Sequence, residues 1–388
     1  MGLRGRVRLL HVQQLPGITP EAKVAAALIR RREGYDAAVL AHSQDSRETV
    51  RRYRELVDAP LHLVCTGYSP YRRWRVRQAL TRALFEARLP AMLRRAQRLA
   101  PDIVYSAQAK NDVHVALRTA RHLGIPYVVH VHYVVGDWLG AETLAALRSA
   151  DRIVTVSDFI RREVIREGGV APEKVVRIWN SPPEAAPAAD SAPGKIRDEL
   201  RIPRSHLLVT MVAQMRWGKG FDDAIEAFVR FHRQHPASTL LLVGDGDERA
   251  KLEQQARGYD APIRFAGPRG DVAAILAESD VFIHPSRLDP FPLAVLEATH
   301  AGLPVVAYAE GGVQEEVEHG VTGLLAPAKE IDTLAKSLAI LAGDPGLRRR
   351  MGSAGRDRVA RLFDAEVAAH QFENVLYEAL APRLLPGR

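Results

Sequence analysis

The chain reads as an α/β protein of two Rossmann-like, doubly wound domains in tandem. Three observations carry that reading. The 388 residues exceed what a single typical core holds. Short apolar runs alternate with amphipathic helical patterns in both halves, as in a parallel sheet covered on both faces. Between the halves, N-S-P-P-E-A-A-P-A-A-D-S-A-P-G at 180–194 holds four prolines and cannot pack a core. The expected division is a first domain at 1–181, a linker at 182–195 and a second domain at 196–364. The closing helix at 365–388 is expected to pack back on the first domain.

In the first half, Val7–Val12 reads as a strand and Glu21–Arg32 as a helix with Val24, Ala27 and Leu28 on one face. Gly34 would end that helix before the strand Ala37–Ala41. After the apolar run Leu61–Val64, the spacing predicts one long helical stretch over Arg72–Leu99, broken or kinked at Pro90. Strands are expected at Ile103–Tyr105, Tyr127–Val131, Ile153–Val156 and Val175–Ile178. The second half starts with strand Leu207–Val212, helix Phe221–Gln234, strand Leu240–Val243 and helix Glu248–Ala256. Strands Ile263–Phe265, Val281–Ile283 and Pro304–Ala307 follow, and one or two helices close the chain. Phe221, Ala224, Ile225, Phe228 and Phe231 form the apolar stripe of the Phe221–Gln234 helix. Tandem domains of this kind bind ligands at the C-terminal ends of their strands.

The net charge of +8 is unevenly divided. Residues 1–180 hold 30 Lys+Arg against 17 Asp+Glu, a net of +13; the remainder holds 24 against 29, a net of −5. Nine arginines fall within 68–99, Arg73, Arg75 and Arg77 among them, against the single acid Glu86. Such a segment is either a solvated helical face or a surface for an anionic acceptor or an acidic membrane, and composition leaves both open. Only 8 of the 54 basic residues are lysine, which suggests a GC-rich bacterial genome. No run approaches the roughly 18 apolar residues of a membrane span, and Arg4, Arg6 and Arg8 precede no signal-peptide apolar region. The expected compartment is the cytoplasm, with any peripheral contact on the inner face of the plasma membrane. The lone Cys65 excludes an internal disulfide and a Cys-rich metal site, and reads as a buried small hydrophobe. Aromatics beyond Tyr71 and Trp74 do not interleave with the arginines and no recognised module is present, so no nucleic-acid partner is expected.

Four loops follow strands of the second half and would open at one edge of its sheet. A-Q-M-R-W-G-K-G at 213–220 supplies Arg216 and Lys219 as cations for a diphosphate, with Gly218 and Gly220 for close backbone approach. Gly244–Gly246 and G-P-R-G at 267–270, which carries Arg269, are the second and third. The fourth is H-P-S-R-L-D-P-F-P-L-A-V-L-E-A-T at 284–299, a strand, a Pro-rich turn and a helix entered at about Leu293. Its helix N-terminus suits a phosphate, and the carboxylates Asp289 and Glu297 suit sugar hydroxyls because ionised acids only accept hydrogen bonds. The acids Asp245 and Asp247 read as caps of the following helix, so no metal is expected. In the first half, His130 and His132 alternate with valines on one strand face without a third ligand, so they are not a metal site either. His132, nearer the strand end, is either a satisfied structural histidine or one that meets a sugar hydroxyl or developing charge, and spacing leaves both open.

Together M-V-A-Q-M-R-W-G-K-G, L-L-V-G-D-G-D-E, I-R-F-A-G, the 284–298 motif, A-G-L-P-V-V-A and G-G-V-Q-E-E-V-E-H-G-V-T-G-L-L resemble glycosyltransferase family 4. I-P-Y-V-V-H-V-H, A-D-R-I-V-T-V-S and V-V-R-I-W-N resemble its first-domain strands. The resemblance implies the GT-B fold and retaining transfer from a nucleotide-diphosphate sugar, with no metal and no other cofactor. It implies ribose binding by Glu297, a donor-sugar contact by Asp289, and diphosphate binding by Lys219 and Arg216. Backbone N–H groups of Leu293 and Ala294 would meet the phosphates. Gly244, Arg269 and Phe291 would complete the donor site, the 267–270 loop holding the base, and His132 would lie near the transferred sugar. The acceptor, a glycan, a lipid-linked intermediate or a small molecule, would bind the first domain near Gly17, Arg73, Arg75 and Arg77. The alternative is a nucleotide-sugar-binding or scaffold subunit without turnover. The chain departs from the family pattern at Asp289 (usually Glu), Pro290 and Pro292 (commonly Gly), Gln214 (often Arg) and Pro16-Gly17 (a glycine pair).

Overall fold

The computed structural model describes residues 6–14, 19–42, 47–64, 75–107, 109, 111–182 and 194–384. Gly17, Arg73, Cys65 and nearly all of the linker lie outside the described residues, and Arg75 and Arg77 are described by their backbone alone. The chain divides into two compact units, Met1–Asn180 with Ala365–Arg388, and Ser181–Asp364.

The first unit opens with β1 (Val7–Gln14), α1 (Pro20–Arg30), β2 (Tyr35–His42), α2 (Arg47–Val57) and β3 (Leu61–Val64). It continues through α3 (Arg75–Leu99), β4 (Ile103–Ser106), α4 (Asn111–Leu123) and β5 (Tyr127–Val131). Then come α5 (Ala141–Arg148), β6 (Arg152–Thr155), α6 (Asp158–Arg166) and β7 (Val175–Arg177). All seven strands are parallel, in the order β3-β2-β1-β4-β5-β6-β7. β4 and β5 are buried along their whole length, which explains their unbroken apolar character. Helix starts follow ordinary capping chemistry: Thr19 accepts from the Ala22 N–H with Pro20 in the first turn, and Ser157 accepts from the Ile160 N–H. Of the break or kink expected at Pro90, the break does not occur: α3 continues through it. Pro90 and Glu86, one turn earlier, are both exposed, so water can serve the carbonyl that loses its partner.

The second unit begins with α7 (Lys195–Glu199), β8 (Leu207–Val212), α8 (Phe221–His232), β9 (Ser238–Val243), α9 (Arg249–Arg257) and β10 (Ile263–Gly267). α10 (Val272–Ala277), β11 (Val281–His284), α11 (Leu293–His300), β12 (Val305–Tyr308) and α12 (Val313–Glu316) follow. β13 (Gly323–Ala326), α13 (Ile331–Gly343) and α14 (Pro345–Leu362) complete it. Its strand order is β10-β9-β8-β11-β12-β13, again all parallel. The α8 stripe is buried against this sheet with Leu240, Leu242 and Ile283. Each buried phenylalanine of α8 contributes about 1.5–3 kcal/mol by leaving water. The chain ends in α15 (Ala365–Leu384), one helix that belongs to the first unit. Phe372, Val375, Leu376 and Ala379 of α15 join Val7, Leu9, Ala22 and Tyr35 in one core cluster.

Candidate active site

In the second unit β10, β9, β8 and β11 are neighbours and parallel, so the four loops named from the sequence emerge side by side at one sheet edge. Backbone contact welds them. A Cβ on Gly220 would lie 1.8 Å from the Pro285 carbonyl oxygen, and Gly220 sits at φ +79°, so only glycine fits where the 213–220 loop meets the 284–292 turn. The Gly312 N–H donates to the Asp289 carbonyl at 2.9 Å, tying α12 to the same turn. Arg287 in that turn donates to Asp222 and Asp223 at the start of α8, and Tyr308 on β12 donates to Asp223. The turn is thereby pinned from three sides.

At its centre Lys219 Nζ lies 2.5 Å from Asp289 Oδ2, and His284 Nε2 lies 3.5 Å from the same oxygen. Asp289 is buried, which alone would raise its pKa; the Lys219 charge and the His284 contact more than offset this and hold the carboxyl well below its usual range. Close by, α11 begins at Leu293 with Pro292 as its N-cap and no side-chain cap. The Leu293 and Ala294 N–H groups donate to nothing among the described residues, whereas the Val295 N–H is taken by the Pro292 carbonyl. Glu297 is half-buried one turn further on. Arg216 is exposed, and no described residue engages its guanidinium. One edge thus offers two cations, two open amides and two carboxylates, a set suited to a diphosphate carrying hydroxylated groups.

One expectation needs correction, and two residues named for the donor site are engaged within the protein. Arg269 is held by ion pairs to Glu199 and Asp271, which raise its pKa further. The Phe291 ring is buried edge-on against Phe363, 5.6 Å between centroids, so it packs the turn from beneath. Asp245 and Asp247 do not cap α9, which starts at Arg249 behind Glu248. Instead Asp245 accepts the N–H of Gly246 and lies 3.7 Å from Arg249. Gly244 sits at φ +132°, where a Cβ would be 1.9 Å from the Ala213 carbonyl oxygen, so its role is to let the β8 and β9 loops touch.

In the first unit His132 follows the end of β5 and is 8% exposed, with burial depressing its pKa to about 3. It is a neutral imidazole at pH 7. His284 and Glu316 went unrecognised in the sequence. Glu316 is buried with neither carboxyl oxygen partnered among the described residues, and burial, then the Asp289 and Glu315 charges, raise its pKa well above the ordinary value. Its signal was an acid placed between the apolar Val313, which opens α12, and Val317, which follows its last residue, both of them buried. His284 gave only its position, directly before the motif's first proline.

Residues 22–181 match the family model described as Glycosyltransferase Family 4, and residues 194–358 match that described as Glycosyl transferases group 1. The glycogen synthase of Mycobacterium tuberculosis is 28% identical over 293 residues, covering 69% of this chain and 67% of that protein. The N-acetyl-alpha-D-glucosaminyl L-malate synthase of Bacillus anthracis is 31% identical over 188 residues, 48% of this chain and 49% of that protein. The crystal structure of Anabaena HepE in complex with UDP and glucose superposes with a TM-score of 0.79 at 20% identity, covering 96% of this chain and 100% of that one. Two parallel Rossmann-like sheets, the edge motifs and these matches agree: the chain belongs to glycosyltransferase family 4 and has the GT-B fold.

Proposed function

We propose that the protein transfers a sugar from a nucleotide-diphosphate sugar to an acceptor hydroxyl with retention of configuration and without a metal ion. The observation that carries this reading is the Lys219–Asp289 pair beside the open amides of Leu293 and Ala294. Lys219, Arg216 and those amides would neutralise the diphosphate, a task that a metal performs elsewhere. Asp289 would accept hydrogen bonds from the donor sugar and Glu297 from the ribose. His132 would meet the transferred sugar. In a front-face displacement the C1–O bond to the leaving phosphate breaks as the acceptor oxygen bonds C1 on the same face. The acceptor proton passes to the departing phosphate oxygen. The protein's part is orientation and charge stabilisation.

The test is thermal stabilisation across UDP-, GDP- and ADP-sugars, with Glu297→Ala as control. A ligand at 100 times its dissociation constant adds about 2.7 kcal/mol to the folded state. Stabilisation of the wild type alone by one nucleotide class supports the reading; none in either protein refutes it. With that donor, the product anomer read by NMR and turnover in EDTA test retention and metal independence. Binding without transfer to any glycan, lipid-linked or small-molecule acceptor favours the subunit alternative.

The acceptor side we assign to the first unit. Arg88, Arg94, Arg95 and Arg98 are exposed on the second half of α3, which suits an anionic acceptor or peripheral contact with an anionic membrane from the cytoplasmic side. No described helix is long and apolar enough to cross a membrane. Reversing Arg73, Arg75 and Arg77 to Glu should lower acceptor turnover and leave donor stabilisation intact; unchanged acceptor kinetics sinks this assignment.

A further inference from the structure

The loop that leaves β5 carries, beyond His132, an aromatic pair that the donor chemistry does not use. From His132 the chain runs through Tyr133, Val134, Val135 and Gly136 into a single 3-10 turn, Asp137–Leu139. Val135 and Leu139 are buried and anchor the loop on either side of Trp138. The Trp138 indole N–H donates to the Val134 carbonyl at 2.9 Å. The Tyr133 ring stands across the indole at 80° between planes, 5.8 Å away between centroids. An indole N–H lies in the ring plane, so its bond fixes an edge and not a face. Trp138 nevertheless remains 52% exposed.

A single exposed tryptophan is ordinary in itself. Three observations set this one apart. Its two contacts hold the ring in place before any ligand arrives, so binding would cost little further ordering. Gly136 has φ −179° and ψ −178°, extended backbone that any residue adopts, yet a Cβ there would meet Trp138 Cδ1 at 3.6 Å. The backbone does not demand that glycine; its effect is to leave one side of the indole bare. The ring is also solitary, since among the described residues of the first unit the other large hydrophobic so exposed is Val367 on α15. A lipid tail or a protein partner needs a contiguous apolar patch, which one ring does not supply. A pyranose needs less. The C–H groups of one ring face carry slight positive charge and stack on the negative face of an aromatic ring. The hydroxyls on its rim need polar neighbours, and exposed Asp137 adjoins the indole in the same loop.

We propose that Trp138 is a stacking platform for a pyranose ring of the acceptor, which makes the acceptor a saccharide. The word acceptor rests on the assignment of that substrate to the first unit above; the binding of a pyranose to Trp138 does not.

The test is NMR of the full chain labelled with 15N-tryptophan, the Trp138 indole resonance being assigned with Trp138→Phe. The probes are the methyl α-D-pyranosides of glucose, galactose and mannose. The expected result is a saturable shift of the Trp138 resonance with at least one of them. Sorbitol, which keeps the hydroxyls but has no ring face, should cause none. Saturation transfer to the sugar C–H protons should persist in Trp138→Phe, which retains an aromatic face. Affinity should fall about tenfold in Trp138→Leu, which keeps apolar bulk alone, and in Gly136→Val, which covers the indole. No shift with any pyranoside, or equal affinity in Trp138→Phe and Trp138→Leu, overturns the proposal. A resonance that responds to phosphatidylglycerol vesicles and not to sugars overturns it too, and makes the ring a membrane contact. Should a variant fail to fold, the wild-type titration decides alone. A pyranoside-specific shift without stabilisation by any sugar nucleotide would uphold the platform and refute the proposed function; sugar transfer with a silent Trp138 would do the reverse.

Discussion

Replacing Glu316 by glutamine should change how the stability of the second unit depends on pH. The wild-type carboxyl is 1% exposed and neither oxygen finds a partner among the described residues. Burial, then the charges of Asp289 and Glu315, raise its pKa well above the ordinary 4.5. Above the ordinary value the unfolded chain has released this proton while the folded chain still holds it. Stability therefore falls as pH rises from there toward the folded value. One proton of difference gives a slope of about 1.4 kcal/mol per pH unit. Asp289 adds nothing to that slope, because its depressed pKa makes its contribution one that is present above its unfolded pKa and lost only as pH falls. Glu316→Gln keeps the shape and has no proton to lose, so its advantage over the wild type should grow by about 1.4 kcal/mol per unit across the window. Hydrogen exchange of the β8 and β9 amides reads this, with the two proteins compared at each pH so that intrinsic exchange cancels. Parallel pH profiles would refute the reasoning, since they would mean that Glu316 ionises in the fold as it does outside it.

Other substitutions separate structural from ligand-facing roles. Lys219→Met leaves Asp289 buried and uncompensated, a loss of about 3–5 kcal/mol by urea unfolding, and adding Asp289→Asn should restore much of it. Gly220→Ala forces a Cβ into the Pro285 carbonyl at a left-handed position, so the second unit should lose about 1–3 kcal/mol or more; an unchanged melting temperature would contradict the contact. Phe291→Ala should cost about 3–5 kcal/mol as a core truncation; nucleotide-sugar affinity, measured well below the new melting point, should change little. A large affinity loss with little destabilisation would return Phe291 to the donor site.

The strands were legible because buried parallel strands announce themselves as short apolar runs; Leu61–Val64 and Leu207–Val212 match their predicted ends. β13 was missed, since Gly323–Ala326 is only four residues long and holds no β-branched or aromatic residue to mark it as a strand. Turn chemistry alone could not separate a cap from a loop acid: α9 starts at Arg249, one residue later than expected, and Glu248 takes the cap position assigned to the aspartates. In the site, residue types at the strand ends could be read one by one, but their pairing could not. Lys219 and Asp289 are 70 positions apart, and their contact depends on β8 lying beside β11. Tyr105 and His130 meet for the same reason, through β4 and β5. Sequence spacing is silent on which strands become neighbours.

The Lys219–Asp289 contact gives ligand entry a condition. A diphosphate that draws Lys219 away strands a buried carboxylate, unless something on the same ligand gives Asp289 hydroxyl hydrogens in exchange. On the proposed roles, an intact sugar nucleotide carries both halves of that exchange, whereas a bare nucleoside diphosphate carries one. Once the sugar has moved to the acceptor, the lysine would be pulled back to Asp289 as the phosphate leaves. The ion pair of the resting protein would then act as a spring that discriminates against the spent donor and hastens its departure.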